Sequence, residues 1–227
     1  MKPIIIFYHI YCFNHQYSKW EPIVINQLQK LKDSMLYEKC SLMFIRIIGN
    51  DIDVKKCLSL INDMNKIQII RADDYNDKEA TTLKVLHSFS KKNDSYIIYI
   101  HTKGVTTGKN RREKYTIKAN DWRNLMEYFT IEKWTECIKK LEEGYDACGV
   151  LWRTEQFFNE ILGHFSGNFW WANSKYISTL PEIKDNIHRG NHEFWIRRNM
   201  PNVYCFYESG LNHHRSYYPR NYYVKEL

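Results

Sequence analysis

Four short apolar runs, with helical spacing between the first two and between the last two, constrain what this 227-residue chain can fold into. Each run is rich in isoleucine and aromatic residues, and the four occupy residues 3–8, 42–48, 66–70 and 96–100. Continuous apolar runs that end in polar turns are typical of strands buried on both faces of a sheet. The segment between the first two runs carries Val24, Leu28, Leu31 and Met35 at helical spacing. This alternation predicts an α/β fold with a mainly parallel central sheet and helices on its faces.

The second half of the chain has a less regular pattern. We predict one helix that begins at Asn120 or Asp121 and runs through Tyr128, and a second helix that Thr130 caps. Further expected elements are strands at residues 146–151 and 169–172, a short helix at 191–198 and an extended tail at 217–223. Because no linker-like run of Pro, Gly or Ser interrupts the pattern, residues 1–227 are predicted to form a single domain.

The charge and composition narrow the class of partner. The net charge of +7 favours an anionic partner, such as nucleic acid, an anionic membrane surface or a substrate that carries pyrophosphate. Lys and Arg are spread along the chain apart from a cluster at residues 109–114, and no nucleic-acid-binding motif is present. We therefore do not expect nucleic acid to be the partner. The 15% aromatic content suits contacts with sugar rings or nucleobases, and it equally suits a protein core.

The six cysteines are scattered without a CxxC pair, so the sequence predicts free thiols in a reducing compartment and no zinc site. The apolar run at residues 4–6 is too short for the core of a signal peptide. No stretch approaches the ~20 apolar residues of a membrane span. We therefore expect a cytoplasmic protein that contacts membranes peripherally at most.

The ends of the predicted strands should carry the chemistry, since ligands of open α/β sheets bind outside the carboxyl ends of the strands. His9 and Tyr11 follow the first run. The fourth run passes directly into four residues that we name the HTKG turn: His101, Thr102, Lys103 and Gly104. A lysine offers a positive charge to phosphate, the His and Thr side chains offer hydrogen bonds, and glycine lets the backbone approach a ligand closely. The alternative interpretation is a solvated polar turn.

Several segments carry a resemblance to a known family. They are the strand and HTKG turn at residues 96–104, Trp122-Arg123, the GYDACGV segment at 144–150, HFSGNFWWA at 164–172 and EFWI at 193–196. In this order, and with FYHIY at 7–11, they resemble a group of glycosyltransferases of bacteria and large DNA viruses that is similar to the rhamnan synthesis protein F family. The resemblance extends over nearly the whole chain, and the HTKG turn and the SGNFWW segment (residues 166–171) are its most specific parts.

The resemblance implies a GT-A fold and a glycosyltransferase of the hexosyltransferase class, active in polysaccharide biosynthesis. Such an enzyme transfers a sugar, with rhamnose among the candidates, from a dTDP-, UDP- or GDP-linked donor to a glycan or glycolipid acceptor. By the same resemblance, about residues 1–105 form the nucleotide-sugar-binding half, and about residues 106–227 form an irregular half for acceptor binding and catalysis.

The donor site implied by the resemblance comprises Tyr8, His9, Tyr11, Asp73, Asp74, His101, Thr102, Lys103 and Gly104. In most GT-A enzymes the fourth strand ends in an Asp-x-Asp motif that holds a divalent metal on the diphosphate, but here His-Thr-Lys takes its place. Lys103 cannot ligate Mn²⁺ or Mg²⁺, yet it can neutralise the diphosphate directly, so metal dependence stays open. Asp73 and Asp74 follow the wrong strand for the metal and are expected in a solvated loop or against the nucleobase and ribose. Asp77 and Glu79 are interpreted only as acidic residues near a helix start.

The sugar and acceptor site implied by the resemblance combines small polar groups with aromatic faces. Its expected residues are Trp122, Arg123, His164, Ser166, Gly167, Asn168 and Trp170. Trp170 and Trp171 alternate across a predicted strand, so we expect one of the two to lie in the core.

Glu193, near the start of the predicted short helix, is the expected base that deprotonates the acceptor hydroxyl in an inverting reaction. The alternative is that Glu193 only braces the fold through an ion pair with Arg189 or Arg123. Asp121 and His164 are the reserve candidates for the base.

Two adjacent histidines follow the last predicted helix. Of the adjacent His213 and His214, at most one is expected on the metal or diphosphate, and His213 is the candidate. Residues 109–114 form either a solvated basic loop or a flap over the donor.

Two other functions compete with the transferase interpretation. The protein is either a catalytically silent relative that binds nucleotide or glycan, or a basic nucleic-acid-binding module.

Overall fold

The computed structural model describes residues 2–108, 113–157, 160–184 and 189–224. Its strands are β1 (Ile4–Cys12), β2 (Leu42–Gly49), β3 (Ile67–Asp73), β4 (Tyr96–His101), β5 (Ala147–Gly149), β6 (Trp152–Phe157), β7 (Glu160–Phe165), β8 (Trp170–Asn173) and β9 (Val203–Cys205). Its α-helices are α1 (Trp20–Asp33), α2 (Leu36–Lys39), α3 (Asp51–Ser59), α4 (Ala80–Ser90), α5 (Glu113–Glu127), α6 (Trp134–Glu142), α7 (Ser174–Ile177) and α8 (Arg189–Glu193).

The central sheet has seven strands in the order β3-β2-β1-β4-β8-β5-β9, and β6 pairs with β7 in a separate antiparallel hairpin. β1 pairs in parallel with β2 and β4, and β2 pairs in parallel with β3. β8 runs antiparallel to β4 and β5, whereas β9 pairs in parallel with β5. The expected α/β fold with a mainly parallel sheet is therefore confirmed. The strand order reverses between β1 and β4, because β2 and β3 lie on one side of β1 and β4 lies on the other.

Helices cover both faces of the sheet, which explains the continuous apolar runs of β1, β2 and β4. Along β1, Ile6 and Ile10 pack in a layer with α1, α5 and α6. Ile5 and Phe7 pack on the opposite face with α4 and α7. Each such buried side chain contributes about 1.5–3 kcal/mol to folding. The two layers together hold the carboxyl ends of β1 and β4 side by side.

The start of α5 and the segment after it differ from the expectation. Asn120 and Asp121 lie inside α5 and not at its start. Thr130 caps no helix, because it lies in a π-helical turn (Tyr128–Glu132) where its hydroxyl donates to Met126 O (2.8 Å). These predicted caps are wrong because a polar side chain that can cap a helix can also hydrogen-bond or face solvent within one.

Several other boundaries also shift. α1 ends before Met35, which is exposed and lies in the left-handed region with φ 61°. β5 is shorter than the expected strand at 146–151, and Leu151 leaves the extended conformation with φ 57°. The expected helix at 191–198 is divided into α8 and a 3₁₀ turn, Trp195–Arg197. The tail contains a further 3₁₀ turn, and α3 and the β6–β7 hairpin have no counterpart in the sequence-based expectation.

The cysteines have the free thiols that the sequence predicts. All six cysteines lie within the described residues as free thiols, of which five are buried and Cys205 is half-buried. Among the helices of the described ranges, none combines the length and the apolar character needed to cross a bilayer.

A buried charged network joins α1 to α5 next to the end of β4. The fully buried Glu127 accepts hydrogen bonds from Lys30 Nζ (2.6 Å) and Gln27 Nε2 (2.8 Å). Arg123 Nε lies 3.4 Å from the same carboxylate, and Gln27 accepts a hydrogen bond from Tyr8 OH (2.6 Å). Removal of one partner from such a network leaves a buried charge without compensation, which is strongly destabilising.

Replacement of Glu127 by Gln keeps the side-chain volume and takes the anion away from Lys30 and Arg123. We expect the free energy of unfolding, measured by urea denaturation, to fall by about 3–5 kcal/mol. Glu136→Gln, on an exposed position of α6, is the matched control and should change stability by less than about 0.5 kcal/mol. Equal stabilities of the two variants would show that the buried network contributes nothing to folding.

Candidate functional site

A cavity of about 460 Å³ opens at the carboxyl ends of β1 and β4. Four parts of the chain line this cavity. The ends of β1 and β4, with the HTKG turn and the segment just after it, supply His9, Tyr11, His101, Thr102, Lys103, Gly104 and Thr106. The segment before α4 supplies Asn76, Lys78 and Glu79, α5 supplies Tyr115, Ala119 and Trp122, and the region after β9 supplies His213 and His214. Open α/β sheets bind ligands where the strand order reverses, and here it reverses between β1 and β4. The cavity therefore lies where the sheet topology alone predicts a ligand.

The HTKG turn continues the pairing of β4 with β1 beyond the end of β4. Thr102 N donates to His9 O (3.1 Å), and Tyr11 N donates to Thr102 Oγ1 (2.9 Å). Gly104 has a φ of 97°, which favours glycine, and a Cβ at this position would lie 3.2 Å from Ala119 Cβ on α5. The turn is therefore held closely between β1 and α5.

Three side chains hold the backbone of the HTKG turn. Each donates to one of its carbonyl oxygens: Gln27 to His101 (3.1 Å), Arg123 to Lys103 (2.9 Å) and Ser18 to Gly104 (3.1 Å). Gln27 and Arg123 also contact the carboxylate of Glu127. Tyr8 and Arg123, both predicted to contact ligands, lie in this supporting network and not in the cavity lining formed by the described residues.

Lys103 places a positive charge in the wall of the cavity. Its Nζ lies 4.0 Å from the centre of the Trp122 ring, and the residue is only 9% exposed. The electron-rich face of an indole stabilises a cation by about 2 kcal/mol where water is largely excluded. The Trp122 ring therefore stabilises the ammonium group in this position. Lys78 is a second cationic residue of the lining.

Two buried histidines of the cavity are neutral at pH 7. Burial lowers the pKa of His9 to about 3, and its Nδ1 lies 2.8 Å from Thr82 Oγ1. Burial is also the main reason why the pKa of His213 is lowered to about 4. The His213 ring stacks on Trp122 with 5.8 Å between ring centres, and its Nε2 lies 2.7 Å from Ser209 Oγ. These histidines supply polar groups to the cavity without adding positive charge.

Glu79 supplies a carboxylate to the cavity, although its place in the sequence indicates only a helix start. The residue is 5% exposed, and its Oε2 accepts hydrogen bonds from Tyr99 OH (2.6 Å) and Asn168 Nδ2 (2.6 Å). Its position in the chain could have identified Glu79, because the residue lies between β3 and α4 at the carboxyl edge of the sheet. The other lining residues that the sequence analysis did not identify are Asn76, Lys78, Thr106, Tyr115 and Ala119.

The SGNFWW segment, expected to contact sugar, lies behind the cavity lining. Gly167 O lies 2.8 Å from His101 Nε2, so it positions a residue that does line the cavity. Trp170 Nε1 donates to Asn168 Oδ1 (2.9 Å), which fixes the amide that holds Glu79. Trp170 and Trp171 are both fully buried, whereas only one of them was expected in the core.

Asp73 and Asp74 lie at the end of β3, which β2 separates from β1. Asp73 forms ion pairs with Arg46 (2.8 Å) and Arg71. Burial tends to raise the pKa of Asp73, but these two arginines outweigh it and lower the pKa below its usual value. Asp74 is exposed. Neither aspartate is among the residues that line the cavity in the described part of the chain.

His164, Ser166 and Glu193 also lie outside the described lining. The His164 ring packs against Phe194 (4.6 Å), Ser166 N donates to Leu151 O (3.0 Å), and Glu193 is half-buried at the end of α8. The assignment of Glu193 as the acceptor base stays a prediction. Residues 109–112 of the expected flap and the side chain of Arg189 lie outside the described residues.

The side chains around the cavity do not form the ligand set of a divalent metal. Within the described ranges, no three His, Cys, Asp or Glu side chains are grouped closely enough to hold an ion. Lys103 also lines the cavity, and an ammonium group repels a divalent cation. The Glu79 carboxylate already accepts two hydrogen bonds. The lining therefore fits an anionic ligand better than a metal.

The neutral state of His213 predicts a loss of stability in mild acid. The folded pKa of about 4 lies below the unfolded value of about 6.5, so the unfolded chain binds more protons between these two values. The contribution of His213 is therefore complete above pH 6.5 and is lost as the pH falls towards 4. At pH 5 we expect this group to lower the free energy of unfolding by about 2 kcal/mol.

His213→Gln tests this expectation in denaturant titrations at pH 7 and pH 5. The variant should lose less stability between the two pH values than the wild type does. His214→Gln, at the exposed neighbouring position, should keep the wild-type pH dependence. An acid-induced loss in His213→Gln as large as that of the wild type would contradict a buried neutral imidazole.

Comparison with solved structures supports the fold. The chain is similar to HddC from Yersinia pseudotuberculosis, with 11% identity, a TM-score of 0.50 and coverage of 91% of this chain and 90% of that chain. A protein from Desulfovibrio desulfuricans G20, provisionally named a nucleotide-diphospho-sugar transferase, matches with 12% identity and a TM-score of 0.48 over 89% of this chain and 79% of that chain. The 4-diphosphocytidyl-2C-methyl-D-erythritol synthase from Anaerococcus prevotii DSM 20548 matches with 10% identity and a TM-score of 0.46 over 90% and 88%. At 11% identity, the match to HddC shows similarity of fold alone.

Sequence comparison gives the family. No curated protein matches the chain. One protein family matches residues 7–215, which is nearly the whole length of the chain. The chain therefore belongs to the family described as a domain of unknown function, DUF8361.

Proposed function

We propose that this protein is a glycosyltransferase that binds a nucleotide-sugar donor in the cavity at the carboxyl ends of β1 and β4. The observation that carries the proposal is the position of Lys103, a shielded cation in the wall of a cavity at the switch point of the sheet. A diphosphate is the part of a nucleotide sugar that such a cation binds. Three hydrogen bonds hold the backbone of the HTKG turn, and the Trp122 ring lies against the ammonium group of Lys103.

The size and lining of the cavity suit a ligand of this class. Its volume of about 460 Å³ lies within the range of about 300–1,000 Å³ that is usual for small-molecule sites. Tyr11 and Tyr115 line the cavity with aromatic rings, against which a nucleobase or the C–H side of a sugar ring can pack. The lining draws residues from both parts of the chain, from residues 1–105 and from 106–227, as the proposed donor and acceptor halves require.

The proposed reaction breaks the bond between the anomeric carbon and the terminal phosphate oxygen, and it forms a bond from that carbon to an acceptor hydroxyl oxygen. The leaving diphosphate gains negative charge, which the ammonium group of Lys103 is placed to stabilise. The acceptor proton passes to a base, for which we retain Glu193 as the proposal. Rhamnose as the sugar, inversion at the anomeric carbon and a glycan acceptor rest on the resemblance of the sequence.

Thermal unfolding in the presence of nucleotides tests the proposal. The ligands are UDP, GDP, dTDP and CMP with their common sugar conjugates, each with and without Mn²⁺. A ligand at a hundred times its Kd adds about 2.7 kcal/mol of stability, which corresponds to a shift of a few degrees for a domain of this size. We expect one nucleotide to raise the Tm selectively. Donor binding without hydrolysis or transfer would identify a catalytically silent binding protein.

Lys103→Ala should weaken the binding of the nucleoside diphosphate by about tenfold or more, because one charge-assisted hydrogen bond is lost. Binding of the corresponding nucleoside, which has no phosphate, should be unchanged in calorimetric titrations. Lys139→Ala, on the exposed face of α6, controls for the loss of one positive charge and should bind both ligands like the wild type. An equal loss for nucleoside and nucleoside diphosphate would contradict the assignment of Lys103 to the phosphates.

A further inference from the structure

Glu79 is a buried carboxylate with one oxygen engaged and one available. Both of its hydrogen bonds, from Tyr99 OH and Asn168 Nδ2, end on Oε2. Within the described part of the chain, no hydrogen bond ends on Oε1, although a carboxylate has about four acceptor positions. The residue is 5% exposed and lines the cavity. Oε1 is therefore the oxygen of this carboxylate that can accept a hydrogen bond from a ligand in the cavity.

The two donors hold the carboxylate in one orientation. Tyr99 belongs to β4, and its ring stacks on the buried Trp170 with 5.3 Å between ring centres. Asn168 receives a hydrogen bond from Trp170 Nε1 (2.9 Å) and lies in the left-handed region with φ 60°. The SGNFWW segment therefore acts on the cavity through Glu79. Tyr99 and Asn168 are positioning residues for this carboxylate.

Two lysines in the cavity lining limit which chemical groups of a ligand can bind to Glu79. Lys78 and Lys103 also line the cavity, so a cationic donor on the ligand is disfavoured. A guanine base pairs with a carboxylate through two N–H groups and both oxygens, but Oε2 of Glu79 is already occupied. A hydroxyl needs only one acceptor oxygen. Sugar rings carry hydroxyls next to phosphate, which is the combination that a carboxylate beside lysines would recognise.

We propose that Oε1 of Glu79 accepts a hydrogen bond from a hydroxyl of a sugar ring in the bound donor and so selects hydroxylated ligands. This inference rests on the proposed function, since it concerns the same cavity. The hydroxyl belongs either to the ribose of the nucleotide or to the sugar that is transferred, and the two sources share this chemistry.

Calorimetric titration of the wild type and Glu79→Gln tests the inference. The probes are UDP, GDP and dTDP, the glucose conjugates of these nucleotides, and the 2′-deoxy and 3′-deoxy forms of UDP and GDP. We expect Glu79→Gln to raise the Kd of the hydroxylated ligand about tenfold, as for loss of a hydrogen bond to a charged group. The ligand that lacks the contacted hydroxyl should bind both proteins alike. A loss with the free ribonucleotides assigns the ribose, and a loss confined to the conjugates assigns the transferred sugar.

Two variants guard against a purely structural effect of the substitution. Tyr99→Phe keeps the carboxylate but removes one positioning hydrogen bond, so it should weaken the same ligands by a smaller factor. It carries the test if Glu79→Gln does not fold. Glu136→Gln, an exposed carboxylate of α6, should leave every Kd unchanged. An equal loss for deoxy and hydroxylated ligands, a loss that follows the base, or no loss at all would overturn the inference.

Binding by the wild type, Lys103→Ala and Glu79→Gln distinguishes failure of this inference from failure of the proposed function. If the wild type binds none of the nucleotides, both fail together. If the wild type binds a nucleotide and Lys103→Ala weakens it, the proposed function stands whatever Glu79→Gln shows. Only the pattern across hydroxylated and deoxy ligands then decides the role of Glu79.

Discussion

The candidate site depends on the hydrogen bonds and ion pairs that the fully buried carboxylate of Glu127 forms with its neighbours. This carboxylate binds Gln27 and Lys30 from α1 and lies 3.4 Å from Arg123 on its own helix, α5. Gln27 and Arg123 then donate to the carbonyl oxygens of His101 and Lys103. An apolar cluster would stabilise this part of the core as well or better. A charged network has a use here because only hydrogen bonds with defined directions can fix the backbone of the turn.

Around this turn the cavity is built in two layers. The inner layer presents Lys103 against Trp122, the neutral imidazoles of His9 and His213, and the carboxylate of Glu79. The outer layer is the SGNFWW segment, which contacts His101 through Gly167 and Glu79 through Asn168. A chain segment far along the sequence thus contacts groups at the end of the fourth strand and at the start of α4. One cavity therefore contains both a lysine shielded by an indole ring and a buried carboxylate.

The sequence predicted the part of this design that depends on local pattern. The apolar runs of β1, β2 and β4 are continuous because both faces of these strands are buried. The HTKG turn could be identified as a candidate site because it follows such a strand at the carboxyl edge of the sheet. His9, Tyr11 and Trp122, also expected near ligands, lie with it in the lining.

The rest could not be predicted because it depends on contacts between distant segments. Glu79 resembles an ordinary helix-start residue, and its environment is set by Asn168, 89 positions along the chain. The SGNFWW segment has the composition of a sugar site, yet its tryptophans are buried, since β8 lies between β4 and β5 inside the sheet. Asn120 and Thr130 have capping side chains, but the helices that contain or follow them are defined by packing and not by those residues.

We propose that the cavity at the ends of β1 and β4 holds the diphosphate of a nucleotide sugar. A crystal structure of the protein with the nucleoside diphosphate that raises the Tm most would test this proposal. We expect the diphosphate within hydrogen-bonding distance of Lys103 Nζ, with the rest of the nucleotide along the same cavity. A nucleotide bound elsewhere on the protein, with this cavity left empty, would contradict it.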